Sequence, residues 1–171
     1  LEFSAALGPV TAIRIEALAD GSLPKSGPGR ADNGNFGLCD ARLTIVPADA
    51  SATATAVKLT RPRADFEQAG LPVAAAIDDD PKSCWAVDPE FGKNHVAAFD
   101  LEAPVTPASG ERLALTLKFE ANQRHSIGRL RVAISSAASS PALGAESGTL
   151  AETVEIERIV TLPAAQRSAE D

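Results

Sequence analysis

Three consecutive aspartates, Asp78, Asp79 and Asp80, have the strongest chemical character in the sequence, and Ser83 follows them closely. Adjacent carboxylates repel one another unless a cation or the solvent relieves their charge. Carboxylate, hydroxyl and backbone carbonyl oxygens are hard ligands that suit Ca²⁺. A solvated acidic turn that starts at Asp80-Pro81 is the other interpretation. The sequence leaves both interpretations open.

A second polar segment is the loop of residues 27–35, which is rich in Gly and Asn. It carries a cation, an anion and two amides: Arg30, Asp32, Asn33 and Asn35. This mixture suits a sugar, because each sugar hydroxyl both donates and accepts hydrogen bonds. Gly and Asn also form the turns of long loops, where Asn side chains bind the backbone. A binding role and a structural role are both compatible with this loop.

The two histidines, His95 and His125, each stand just before a predicted strand. With Arg124 they could line a ligand-binding edge, although a lone histidine at such a place more often caps or packs than catalyses. No GxSxG motif supports a catalytic triad, and no HExxH motif supports a zinc enzyme. Paired carboxylates for glycoside hydrolysis cannot be singled out among the many acids. We therefore expect a protein that is not an enzyme.

The single tryptophan and the two cysteines each allow two interpretations. Trp85 could stack on a sugar ring, but in a chain with 4% aromatic residues we expect it to fill the core. Cys39 and Cys84 could form a disulfide in an exported protein. Such a bridge would close a loop of about 45 residues and add about 3–4 kcal/mol of stability. Two buried, reduced thiols are the alternative.

Composition excludes several classes of function. The chain has 171 residues, 44% of them hydrophobic, which suffices for one packed domain. No apolar run approaches the roughly 18 residues of a membrane-spanning helix. A net charge of −7 disfavours nucleic acid as a partner. We therefore expect no nucleic-acid binding and no membrane insertion.

Alternation of apolar and polar residues predicts the elements that position these side chains. The alternation is clearest at residues 112–119, where every second residue is Leu or Phe. Further strands are predicted at residues 11–18, 36–46, 57–60, 95–101 and 127–135. Because residues 1–135 contain no convincing helix, the expected fold class is all-β, an antiparallel β-sandwich.

The composition changes after the last predicted strand. Residues 136–148 are rich in Ser, Ala and Gly and predict a linker. Residues 149–171 predict an acidic helical connector to a missing following domain, and a capping box opens its helix. Residues 141–171 carry six acids and two arginines, a net charge of −4. The absence of Met, even at position 1, suggests a module excised from a longer chain. At the C-terminus, Ser168 and Asp171 are spaced as at a helix start, which agrees with this, and an ordinary frayed tail is the alternative there.

Residues 76–85, AIDDDPKSCW, resemble a stretch of the galactose-binding-like jelly rolls. These are found in discoidin and factor V/VIII type C domains and in related carbohydrate-binding modules, where the stretch is Ala-Ile/Val-Asp-Gly-Asn-x-x-Thr-x-Trp. Four residues stand at matching positions: Asp78, Asp80, Ser83 and Trp85. Asp79 replaces the usual Gly, which affects the geometry expected of the turn.

The resemblance also implies a cofactor. In many such domains this turn holds a structural Ca²⁺. By resemblance, Asp78, Asp80 and Ser83 would be the side-chain ligands, and backbone oxygens near Ala75 would complete the shell. The ion would stiffen the loops rather than take part in catalysis.

Several loop motifs, in the same order, resemble a domain of large planctomycete cytochrome c-like surface proteins. They lie at residues 11–18, 27–36, 91–95 and 125–131, and the resemblance covers roughly residues 10–135. The chain has no Cys-x-x-Cys-His haem motif. The resemblance therefore implies an architecture and an exported location, periplasmic or at the cell surface, rather than an activity.

These observations predict a non-catalytic carbohydrate-binding module of a larger exported protein, which binds polysaccharide through loops at one edge of a β-sandwich. The expected ligand-binding residues are Arg30, Asp32, Asn33, Asn35, His95, Arg124 and His125. The alternative is a scaffold module that docks neighbouring domains of the same protein. The low aromatic content favours this alternative, and a fold alone does not decide between such functions.

Overall fold

A computed structural model describes residues 1–3, 8–49 and 51–144. The described residues contain eight β-strands, two short 3₁₀ turns and no α-helix. The strands are β1 (Glu2–Phe3), β2 (Val10–Leu18), β3 (Asp40–Val46), β4 (Thr55–Val57), β5 (Leu59–Ala64), β6 (His95–Val105), β7 (Arg112–Lys118) and β8 (Arg129–Ser135). The 3₁₀ turns are Pro24–Ser26 and Val73–Ile77.

The strands form two four-stranded antiparallel sheets that pack face to face. The first sheet has the order β1-β7-β3-β4, and the second has the order β5-β6-β2-β8. Leu43 and Leu115 from the first sheet and Ile15 and Phe99 from the second are fully buried in one shared core. The predicted all-β antiparallel sandwich is confirmed.

Strand β2 illustrates how alternation builds the sandwich. Ile13 and Ile15 are buried, and Ile13 lies opposite Phe99 on β6 and opposite Ile134 on β8. Successive side chains of a strand point to opposite faces, so Arg14 and Glu16 lie on the outer face of the second sheet. The outer face therefore carries charge, and the inner face carries Ile and Val.

Several strand boundaries differ from those that alternation predicts; β6 runs on to Val105, for example, and β8 begins at Arg129. Strand β3 begins at Asp40 rather than at residue 36, because Leu38 leaves the sheet and forms an isolated antiparallel bridge with Trp85. The strand predicted at residues 57–60 is the junction of two strands. The chain passes there from β4 in the first sheet to β5 in the second. Alternation cannot reveal such a crossing, because Val57 packs against the core and Leu59 is buried in it with only Lys58 between them, as in one continuous strand.

Trp85 lies in the core with 0% exposure, as expected. Its indole Nε1 donates to the Phe66 carbonyl oxygen at 2.9 Å, and its ring meets Phe36 edge-on with centroids 4.9 Å apart. Beside it, Cys39 and Cys84 form a disulfide. Disulfides persist in oxidising compartments. The bridge therefore indicates an oxidising, extracytoplasmic environment.

Residues 136–144, the described part of the predicted linker, cross the outer face of the second sheet. Thr11 Oγ1 donates to the Ala137 carbonyl oxygen at 2.7 Å, and Arg63 Nη1 donates to the Pro141 carbonyl oxygen at 2.7 Å. The predicted helical connector at residues 149–171 lies outside the described residues. Within the described part of the chain, no helix is long and apolar enough to cross a bilayer.

Candidate functional site

Two loops run side by side at the end of the sandwich where β2 ends and β8 begins. The Arg30 N–H donates to the Ser126 carbonyl oxygen at 2.9 Å, and the Gly37 N–H donates to the His125 carbonyl oxygen at 2.8 Å. The Gly128 N–H donates to the Pro28 carbonyl oxygen at 2.8 Å. We call these segments, residues 28–37 and 122–128, the loop pair. These backbone hydrogen bonds join the two segments as a short, irregular ladder.

An exposed ion pair joins the two segments of the loop pair. Arg124 Nη1 lies 3.0 Å from Asp32 Oδ1, and the side chains are 68% and 87% exposed. Such exposed pairs contribute about 0–1 kcal/mol, so their charges can exchange partners at little cost. Arg30 Nη2 donates to the Gly128 carbonyl oxygen at 3.2 Å. His125 Nδ1 lies 2.9 Å from the Gln123 carbonyl oxygen.

The two predicted asparagines shape the loop from within. Asn33 Oδ1 accepts from the Asn35 N–H at 3.1 Å. Asn35 is buried, and its Oδ1 accepts from the N–H groups of Phe36 and Val87, both at 3.0 Å. Its Nδ2 donates to Gln68 Oε1 at 3.0 Å. The Asn35 amide therefore ties three segments of the chain together and faces the protein interior.

His95 is also an interior residue, with 1% exposure. Its Nε2 lies 2.6 Å from the Glu90 carbonyl oxygen, and its Nδ1 lies 3.1 Å from Asp65 Oδ2. Because both partners are acceptors, both ring nitrogens donate only in the imidazolium form. Burial lowers the pKa of His95, but the hydrogen bonds to Asp65 and Glu90 outweigh burial and raise the pKa above its ordinary value of 6.5. The charge of Lys93 opposes this rise.

Asp65 is the other half of this pair. Burial raises the pKa of its carboxyl group, but hydrogen bonds from the His95 ring and from the Val96 N–H outweigh burial. The pKa of Asp65 therefore lies below its ordinary value of 3.8. The pair holds the end of β5 against the start of β6.

The structure thus divides the seven predicted ligand-binding residues. Five belong to the loop pair and do not serve its interior anchor: Arg30, Asp32, Asn33, Arg124 and His125. Asn35 is also a residue of the loop pair, but it is buried. Asn35 and His95 lie inside the protein and bind its other segments. Their partners Gln68 and Asp65 belong to no motif, and only the tertiary contact reveals them.

At the acidic turn, several oxygens surround Ser83 Oγ. Asp78 Oδ1 and Oδ2 lie at 2.8 and 2.7 Å, the Asp80 carbonyl oxygen at 3.0 Å and the Ala75 carbonyl oxygen at 3.4 Å. The Asp80 carboxylate is used elsewhere, because its Oδ1 accepts from the Lys82 N–H at 2.9 Å. In the described ranges, no three His, Cys, Asp or Glu side chains converge as a metal cluster. The oxygen set contains one carboxylate, one hydroxyl and two carbonyls.

Asp79 adopts a backbone conformation that glycine takes without cost. Its φ is +64°, in the left-handed region, where Asp is among the better tolerated residues with a Cβ. Its carboxylate turns away from the oxygen set and lies 3.0 Å from Arg42 Nη2. The turn therefore retains a glycine-like backbone at a position where the sequence has aspartate.

The close approach of the backbone at Gly29 generates a first prediction. A Cβ at Gly29 would lie 1.7 Å from the Asn35 carbonyl oxygen, a backbone atom that cannot move without disturbing the loop pair. We expect Gly29→Ala to lower the free energy of unfolding by about 2–4 kcal/mol, measured by urea denaturation. The control Gly21→Ala should change it by less than about 0.5 kcal/mol, since nothing lies within 4 Å of that Cβ. Equal effects would contradict the prediction.

The His95–Asp65 pair generates a second prediction. The folded pKa of His95 lies above its unfolded value, so its contribution to stability is full below about pH 6.5 and is lost as the pH rises through the folded pKa. The folded pKa of Asp65 lies below its unfolded value, so its contribution is full above about pH 4 and is lost in acid.

We therefore expect the free energy of unfolding to fall as the pH rises above about 6.5, and His95→Gln to reduce that fall. Urea denaturation at several pH values measures it. His125→Gln is the matched control, because it removes the other histidine, which lies in the loop pair, and should retain the fall. The same pH profile in wild type and His95→Gln would refute this role of the pair.

Comparison with known proteins adds no evidence about the function of this chain. Neither the protein-family models, nor the curated proteins, nor the solved structures contain a match to this chain. A function is therefore inferred from the fold and from the arrangement of the described residues.

Proposed function

We propose that this protein is a non-catalytic module of a larger exported protein and binds polysaccharide through the loop pair. The observation that carries the proposal is the exposed Arg124–Asp32 ion pair, which stands on the same two loops as Arg30 and His125. These side chains offer donors and acceptors together, as sugar hydroxyls require. The disulfide supports export, to the periplasm or the cell surface.

The rigidity of the loop pair supports binding as well. Backbone hydrogen bonds join its two segments, and the buried Asn35 amide anchors one of them to Val87 and Gln68. A loop that is ordered before binding loses little conformational entropy when a ligand arrives. Few hydrogen-bonding side chains can therefore suffice for a weak but specific interaction.

One observation favours the alternative of a scaffold module. Phe36 is the aromatic residue of the loop pair, and it is fully buried. The loop pair therefore offers a sugar no aromatic face for stacking. A neighbouring protein domain that presents charged and amide groups could use the same side chains.

Substitution within the exposed ion pair tests the proposal. We expect Asp32→Asn and Arg124→Gln each to weaken polysaccharide binding about tenfold, because each removes one charged hydrogen-bonding partner. A glycan array identifies the ligand, and calorimetric titration measures the affinity. Arg112→Gln is the matched control, since Arg112 also pairs with an exposed carboxylate, Glu2, on the first sheet. No binding across neutral and acidic glycans would refute the proposal and favour the scaffold role.

The proposal includes a structural Ca²⁺ at the acidic turn. The oxygen set around Ser83 fits a hard cation in type, and the ion would be held by the Asp78 carboxylate, the Ser83 hydroxyl and the Ala75 and Asp80 carbonyl oxygens. The carboxylate of Asp80, expected from the sequence as a ligand, instead accepts from the Lys82 N–H. A bound cation would offset the repulsion among the three aspartates.

We expect Ca²⁺ at saturating concentration to raise the melting temperature by about 3 °C or more relative to EGTA, because a ligand that binds only the folded state stabilises it. Asp78→Asn should abolish the rise. Asp79→Asn is the control and should retain it, since the Asp79 carboxylate pairs with Arg42. An unchanged melting temperature in wild type would identify a solvated turn instead.

A further inference from the structure

A cavity of about 550 Å³ opens on the outer face of the second sheet. Its floor comes from β2, β5 and β6, and residues 137–140 form a wall. Ala12 and Asp100, which are paired across β2 and β6, line it. Because the loop pair lies beyond Leu18, at the other end of β2, the cavity is a separate site. Its volume falls within the range of about 300–1,000 Å³ that is typical of small-molecule sites.

The acids of the cavity already have cationic partners. Asp100 is 8% exposed, accepts from Arg63 Nη2 at 3.0 Å and is hydrogen-bonded to Ser140. Glu102 pairs with Lys58. These contacts neutralise both carboxylates, so neither requires a further cation.

Arg61 is the surplus cation of the cavity. Its side chain is 77% exposed, and its nearest carboxylate oxygen is Asp100 Oδ2, 3.7 Å from Nη1. Within residues 1–3, 8–49 and 51–144, its guanidinium makes no hydrogen bond. The planar guanidinium therefore presents free N–H groups at the cavity, in the fork that matches a carboxylate.

A β-bulge places Arg61 at the cavity. In an unbroken strand Arg61 would follow Leu59 onto the inner face, because side chains alternate. The pairing of β5 with β6 shifts register between Thr60 and Arg63, where Pro62 has no N–H to donate. Arg61 itself has a φ of +46°, in the left-handed region that residues with a Cβ rarely adopt. Bulges re-aim side chains in this way.

We propose that this cavity binds a carboxylate-bearing sugar, a uronic acid unit of an acidic polysaccharide. Arg61 holds the carboxylate by a forked pair of hydrogen bonds. The Glu102 carboxylate and the Thr60 hydroxyl face the sugar hydroxyls, and Ala12 and Pro104 contribute apolar surface to the floor. The choice of a sugar rests on the proposed function, whereas the choice of a carboxylate rests on Arg61.

The same chemistry has a second source within the chain. Residues 145–171 carry six acids, and only residues 141–144 separate them from the segment that forms the cavity wall. A carboxylate from this segment could therefore pair with Arg61 in place of the carboxylate of a sugar. The experiment below separates the two sources.

The test is an NMR titration of the ¹⁵N-labelled full chain with galacturonate, with galactose as the neutral match and acetate as the carboxylate without a ring. We expect galacturonate to shift the Arg61 Nε–H signal and the amide signals of Thr60, Glu102 and Ser139 saturably. Galactose should leave these signals unchanged, and acetate should shift them only weakly. Equal shifts with galactose or acetate would overturn the proposal.

Variants of the full chain give the second arm. Arg61→Gln should weaken galacturonate binding about tenfold or more, and Arg61→Lys should weaken it less because it keeps the charge and loses the fork. Arg112→Gln, which changes a partly exposed arginine on the first sheet, should bind as wild type. Unchanged affinity in both Arg61 variants would overturn the proposal.

Three outcomes separate this inference from its rivals. A variant with Gln in place of Glu152, Glu155 and Glu157 tests the internal source. If this substitution shifts the NMR signals of the cavity residues in the absence of ligand, the chain's own acids occupy the cavity and the sugar proposal is overturned. If galacturonate shifts the signals of the cavity residues, but Arg124→Gln does not change the affinity for any glycan, the loop-pair proposal fails and this inference stands. If galacturonate shifts only the signals of the loop pair, residues 28–37 and 122–128, this inference is overturned and the loop-pair proposal is supported.

Discussion

The loop end of the sandwich depends on the pairing of residues 35–39 with residues 84–87. Leu38 and Trp85 exchange two backbone hydrogen bonds, of 2.9 and 2.8 Å, and the disulfide joins the adjacent residues Cys39 and Cys84. The buried Trp85 ring fills the space beneath. Neither segment belongs to a sheet, so these two hydrogen bonds and the disulfide hold the segments together, as a ladder of hydrogen bonds holds neighbouring strands. The loop pair rests on this junction through Gly37, whose N–H donates to the other loop.

Buried carboxylates with flanking cations organise the outer faces of both sheets. On the second sheet, Glu16 is 5% exposed and pairs with Arg14 and Arg131. On the first, Asp40 pairs with Arg42 and Lys118. A buried charge without a partner is strongly unfavourable, so these acids require their arginines and lysines. The charges left for a ligand are those on exposed loops and bulges, and Arg124 and Arg61 are the clearest examples.

The two proposed binding regions differ in how the backbone builds them. The loop pair depends on residues that permit close backbone approach, such as Gly29, whose absent Cβ leaves room for the Asn35 carbonyl group. The cavity depends on an irregularity within a strand, since the bulge at Pro62 turns Arg61 outward. In both cases a departure from regular structure exposes a polar group, and the rigid sandwich underneath tolerates it.

Hydrophobic alternation by itself determined the fold class and the cores of most strands, because burial of one sheet face requires a period of two. Composition likewise determined that Trp85 would lie in the core. The seven candidate ligand residues could not be sorted in the same way. Asn and His serve equally well inside a loop and on its surface, and only tertiary contacts with Gln68 and Asp65 place Asn35 and His95 in the interior. Arg61 shows the same limit, since its position at a cavity depends on strand register and on residues 137–140, which lie far away in sequence.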